Sequence, residues 1–291
     1  MKPSTKTESN FITQINGSAL FEKKPGAGGR RGAEWRRAVG IAAIVVSLVS
    51  GMARAADPES VDFDSGALSD SFSDNVLYGG SPYSLGPVGV NHTRGIALKE
   101  TSGSEGTLVF KKKTFDLSKL ATLEISCFFK RKGIGAGTHA LSLGLTSAET
   151  GHLSGVEGAA FVGLRLKAET ESLRMQFQSK EAKVASPQAS QVRDDFPTEA
   201  GKWYQLKAIF ARLDDKTLRV TGEVSPVSDA GEVDSPVGFF PLHNFWVGDF
   251  HFAEIVGGHK VWVALRANGD GGAEALDNFQ IVARPLPDKA P

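Results

Sequence analysis

A single cysteine, Cys127, stands in 291 residues. No intramolecular disulfide framework can form, and no multi-cysteine zinc or iron–sulfur site exists. Net charge is missing as well. The 33 Lys and Arg balance the 33 Asp and Glu, so there is no electrostatic footprint for nucleic acid. No apolar run approaches the roughly 20 residues of a stable membrane span. H-E-x-x-H, G-x-S-x-G and the P-loop are all missing. What remains is 41% hydrophobic and 9% aromatic, with 33 Gly and 13 Pro. That is too apolar and too weakly charged for a disordered chain, and long enough for a sizeable core.

The first 55 residues differ from the rest. Residues 1–37 form a polar extension without apolar periodicity, expected to be disordered. Arg30, Arg31, Arg36 and Arg37 lead into the apolar run Ala38–Met52, followed by Ala53-Arg54-Ala55. A basic flank, a short apolar stretch and a small-x-small site form the signature of a secretory signal, so residues 38–55 predict export with cleavage after Ala55. An uncleaved anchor or a buried helix is the alternative. The predicted address is periplasmic, cell-surface or secreted, with no stable membrane span after processing. Residues 1–55 hold nine basic and three acidic side chains, leaving 24 basic and 30 acidic beyond them, a net charge of −6. Nucleic acid and anionic membrane surfaces are therefore poor partners.

From Asp57 onward no amphipathic helix is evident, and turn residues punctuate the chain every 8–15 positions. Such spacing predicts an all-β, two-sheet antiparallel β-sandwich. The clearest strand is Leu123–Lys130, with Leu123, Ile125, Cys127 and Phe129 on one face. Cys127 is then a core residue. Residues 139–145 form another strand, 161–166 with 173–178 a hairpin, and 203–212 with 217–224 a second. Residues 95–98 and 107–110 are shorter strands. Residues 260–266 and 275–282 read as a final hairpin around Asn268-Gly269-Asp270-Gly271-Gly272, and 180–201 as a long loop. The count is twelve or thirteen strands in one domain, residues 57–283, ahead of a disordered tail at 284–291.

Three segments carry a family resemblance. They are Val61-Asp62-Phe63-Asp64-Ser65-Gly66, then Gly201-Lys202-Trp203-Tyr204-Gln205-Leu206-Lys207 with Val227-Ser228-Asp229-Ala230-Gly231, and lastly Ala275-Leu276-Asp277-Asn278-Phe279-Gln280-Ile281. Together they resemble the LamG-like, concanavalin A-like lectin/glucanase jelly roll of exported bacterial proteins. The resemblance implies paired first and last strands that set Asp62 or Asp64 near Asp277. It also implies a structural calcium ion, for which Asp64, Asp277 and Asn278 offer oxygens. The alternative is that Asp277 bonds a neighbouring backbone amide or caps a turn. Trp203 and Leu206 offer large apolar surface to a core, while Tyr204 faces outward or hydrogen-bonds through its hydroxyl.

Catalytic members of that family carry a tight Glu-x-Asp-x-x-Glu or similar cluster, and none occurs here. Glu169 and Glu171, Asp194-Asp195, Asp214-Asp215, and Glu232 with Asp234 all fall in turns or loops, where carboxylates are normally solvated. His251 and His259 lie near each other in sequence but form no metal-binding motif. The densest unusual stretch is Gly238–Phe252, with six Phe or Trp in fifteen residues. Within it His243, Asn244, Phe245 and Trp246 form a candidate sugar-stacking platform. Core or sheet-edge packing of the same rings is the alternative. The expectation is a non-catalytic binding module for a glycan or a surface protein. A polysaccharide hydrolase or lyase with a dispersed site and a structural envelope protein are the other readings.

Overall fold

The structure is a computed structural model. It describes residues 57–99, 105–132, 141–153, 160–167, 172–178, 191–192, 198–215, 218–235, 238–242, 259–267 and 272–287. Sixteen strands run through these residues: β1 (Glu59–Val61), β2 (Phe72–Tyr78), β3 (Tyr83–Gly86), β4 (Gly95–Leu98), β5 (Glu105–Phe110), β6 (Phe115–Asp116), β7 (Leu120–Arg131), β8 (Leu141–Thr146), β9 (Phe161–Lys167), β10 (Ser172–Gln178), β11 (Gln191–Val192), β12 (Trp203–Arg212), β13 (Leu218–Val227), β14 (Gly238–Leu242), β15 (Lys260–Ala267) and β16 (Ala273–Pro285). One helical turn, α1 (Leu68–Ser71), precedes β2.

The strands form two antiparallel eight-stranded sheets. The first has the order β14-β13-β12-β7-β16-β4-β3, with β1 also on β16. The second has the order β11-β10-β9-β8-β15-β5-β2, with β6 also on β15. The inner faces of both sheets supply one core. Alternation explains which residues enter it. In β7, Leu123, Ile125, Cys127 and Phe129 are fully buried, as the sequence period predicts. Burial pushes the Cys127 thiol far above its ordinary range, so this cysteine packs as a small apolar group. Phe63, Phe72, Phe110 and Phe279 form an aromatic knot where chain start and chain end meet. The Phe72 and Phe279 rings cross edge-on, 5.3 Å apart. Each such ring stabilises by roughly 1.5–3 kcal/mol on burial.

Both predicted hairpins form, β9 with β10 and β12 with β13. The predicted final hairpin does not. β15 lies between β8 and β5 in the second sheet, and β16 lies in the first. Val261, Val263 and Leu265 of β15, like Leu276, Phe279 and Ile281 of β16, are core residues. The two strands bury these faces in the shared core from opposite sheets rather than side by side. Residues 191–192, expected in a loop, pair with β10 as β11.

Strand β12 corrects a second expectation. Tyr204 and Leu206 share the core face, and Trp203, one position earlier, points to the other. Tyr204 is buried, and its hydroxyl accepts the Glu199 N–H at 2.8 Å. First and last strands do pair, with Val61 opposite Phe279. In β16 the pairing with β7 slips between Asp277 and Gln280. Asn278 there has φ +46°, a left-handed bulge residue. The extra residue keeps Leu276, Phe279 and Ile281 all inward while Asp277 points out.

Candidate functional site

The outer face of the first sheet carries a second apolar patch. Lys130, Trp203 and Val227 stand in one cross-strand row, with Ala275 beside Lys130. Phe128, Gln205, Ser225 and Asp277 form the next row. Phe128, Trp203, Val227 and Ala275 pack with Val90 and Val88 from the loop between β3 and β4. Over this patch opens a cleft of about 610 Å³, within the range of small-molecule sites. Trp203, Ala275, Val88 and Gly201 give it apolar surface, while Asn91, His92, Lys130, Asp229 and Glu274 offer polar groups. Lys130 and Glu274 are ion-paired at 2.6 Å, both partly exposed; such a pair contributes at most about 1 kcal/mol.

The polar rim is built from an unusual loop. Asn91 (φ +54°) and His92 (φ +60°) are consecutive left-handed residues without being glycine. Such conformations cost about 1–3 kcal/mol each and persist only where the surroundings enforce them. Here two carboxylates enforce them. Asp277 Oδ2 accepts the Val90 N–H at 2.9 Å, and its Oδ1 accepts the Asn278 N–H at 2.8 Å; the Thr93 hydroxyl donates to the Val90 carbonyl at 2.6 Å and lies 3.3 Å from Asp277 Oδ2. Asp64 Oδ1 accepts the Arg94 N–H at 3.0 Å, and the Arg94 guanidinium donates to the Gly66 carbonyl at 2.8 Å. Within the loop, Gly89 N–H donates to the Thr93 carbonyl. Asp277 is only 4% exposed. Burial raises its carboxyl above the ordinary aspartate value, against the downward pull of the Val90, Asn278 and Thr93 donors, and nearby Asp64 adds to the rise.

The predicted convergence of Asp64 and Asp277 therefore holds, yet the pair grips a loop. Calcium asks for six to eight oxygens with free lone pairs. Asp277 gives both oxygens to protein donors, and Asn278 Oδ1 accepts the Gln280 amide at 3.0 Å. With these oxygens turned to protein donors, Asp64, Asp277 and Asn278 do not form a calcium cage in this structure. Among the described residues no group of three or more His, Cys, Asp or Glu could hold a metal. His243, Asn244, Phe245 and Trp246 lie outside the described residues. The cleft was missed because Trp203 read as a core residue. A signal for it existed: the segments 61–66, 201–207, 227–231 and 275–281 all reach the cleft or its clamp.

No family model matches the chain, and no curated protein matches it. Among solved structures the chain is similar to lectin II from Ulex europaeus, at 13% identity over 78% of this chain and 98% of that one, with a TM-score of 0.47. Arcelin-5, a lectin-like defence protein from Phaseolus vulgaris, shows 12% identity over 79% of this chain and 100% of that one, with a TM-score of 0.46. A carbohydrate esterase from a Shiga toxin-encoding bacteriophage shows 16% identity over 77% of this chain and 97% of that one, with a TM-score of 0.45.

Proposed function

We propose that this protein is an exported, non-catalytic carbohydrate-binding module whose glycan site is the cleft on the outer face of the first sheet. The observation that carries the reading is the composition of that cleft. The edge of a largely buried indole, 8% exposed, and small apolar groups lie beside an amide, an imidazole, an ammonium and two carboxylates, most of them on or next to paired strands. Sugar rings have apolar C–H faces that pack on aromatic surface and hydroxyls that need donors and acceptors together. Binding is favoured over hydrolysis because the sequence holds no tight Glu-x-Asp-x-x-Glu cluster. Export rests on the 38–55 segment, and no described helix is long and apolar enough to cross a membrane.

The test is a glycan array probed with the protein, followed by calorimetry on the best-retained oligosaccharide. Glu274→Gln and Asn91→Ala are expected to weaken binding by about tenfold each, the loss of one or two charge-assisted or neutral hydrogen bonds. No retention of any glycan, or binding indifferent to both substitutions, refutes the assignment. Release of reducing ends from the bound glycan would favour the hydrolase reading instead.

A further inference from the structure

We infer that Asp277, helped by Asp64, is the positioning residue of the cleft, holding the 89–94 loop in the left-handed shape that sets Asn91 and His92 on the rim. The inference rests on the reading of the cleft as a glycan site. Asp277 does not line the cleft; it acts from behind, through the loop. That loop joins β3 to β4 and has no strand pairing of its own. Its own bonds, Gly89 N–H to the Thr93 carbonyl and Thr93 N–H to the Val90 carbonyl, close the turn, and side chains from distant parts of the chain hold that turn against the sheet. Asp277 on β16 takes the Val90 N–H, and Asp64, after β1, takes that of Arg94.

Space is matched to this grip. A Cβ on Gly89 would lie 2.5 Å from Thr93 Oγ1 and 2.7 Å from Asp277 Oδ2. Any larger residue there pushes the loop off the carboxylate. Charge tells the same story. Asp277 faces Asp64 across the loop and has His92 and Arg94 in the loop itself. Lys130 on β7 is paired with Glu274 on β16, and the row neighbours of Asp277, namely Phe128, Gln205 and Ser225, are uncharged. A buried carboxylate beside a second carboxylate is a poor way to stabilise a fold. It is a good way to hold several backbone and hydroxyl donors at once. The position is accounted for by the loop it holds.

The experiment compares the full chain with Asp277→Asn and Gly89→Ala in three measurements. They are thermal melting, backbone amide exchange of Val90, and retention of the array glycan that the wild type binds best. The side-chain amide of Asp277→Asn offers one acceptor oxygen where two are used. The expected result is faster Val90 exchange and binding weaker by about tenfold or more, out of proportion to any fall in melting temperature. A residue that serves only stability would lower the melting temperature together with binding. Should Asp277→Asn not fold, Gly89→Ala carries the same expectation for exchange and binding. Retained Val90 protection, or unchanged glycan affinity, in the folded variants overturns the inference. If the wild type retains no glycan, the proposed function fails by itself, while Val90 exchange still decides whether Asp277 holds the loop.

Discussion

Tyr83→Phe isolates one hydroxyl that ties the two sheets together. Tyr83 sits on β3 of the first sheet, fully enclosed. Its hydroxyl reaches the second sheet, donating to the Gly106 carbonyl at 2.7 Å and accepting the Ala267 N–H at 3.2 Å. β5 and β15 pair at Val109 with Ala264 and at Leu108 with Leu265. Carried two residues further, that register sets Gly106 opposite Ala267. The phenol oxygen thus replaces a ladder bond at the point where the strands part. Burial pushes its ionisation far above the ordinary tyrosine range, so it stays a neutral donor and acceptor. Removing the oxygen leaves one buried N–H and one buried C=O, at about 1–3 kcal/mol each, together about 2–6 kcal/mol. For a domain of this size each kcal/mol lowers the melting temperature by about 2–4 °C, so a drop of about 4–24 °C is expected. Differential scanning calorimetry measures it, with Tyr78→Phe, 62% exposed, as the control that should not move. A Tyr83→Phe drop under about 2 °C would refute the ladder-bridge reasoning.

Asp277 predicts a direction in pH. Its carboxyl is raised in the folded state, so the native chain binds its proton more readily than the unfolded one. The stability it contributes is fully present below the unfolded value and is lost as pH rises through the folded one. Urea midpoints across about pH 3–7 should show wild type gaining on Asp277→Asn as pH falls; a constant difference contradicts this. At Asn278, φ +46° tolerates glycine, whereas Asn278→Val should cost about 1–2 kcal/mol, read as a shift in urea midpoint. Gly144 lies on β8 where a Cβ would press on the Val162 carbonyl and sit 2.8 Å from Gly163 Cα and 2.9 Å from Leu153 Cδ2. Gly144→Ala should cost about 1–3 kcal/mol, and a wild-type melting curve would show that the neighbouring backbone yields.

Strand by strand, the period-2 alternation was enough to find β7, β9, β10, β12 and β13; in β7, β9, β12 and β13 one face lies in the core. Pairing partners were harder. Nothing local distinguishes β15 and β16 as hairpin mates from two strands crossing the core, since either arrangement buries the same apolar face. Trp203 is buried, as expected, but on the outer face rather than beside Leu206. Two large side chains three apart on a strand cannot share a face, and the outer face here is apolar too. The convergence of Asp64 and Asp277 was visible from the paired chain ends. Which donors would occupy those carboxylates was not, because Val90, Thr93 and Arg94 come from a loop whose shape depends on them.

The sheet order has a consequence in time. β16 sits between β7 on one edge and β4 with β1 on the other, and β15 sits between β8 and β5 with β6. Both are the last of the described strands in chain order, yet both occupy sheet interiors. Until residues 260–285 are available, each sheet exists as two unjoined halves with open edges. The strands made first, β1 to β5, wait for the strands made last. Folding therefore cannot be completed piecemeal as the chain lengthens; it closes in one late step, dominated by non-local pairing and correspondingly slow. A chain cut short before β15 would instead be left with the exposed strand edges that drive aggregation.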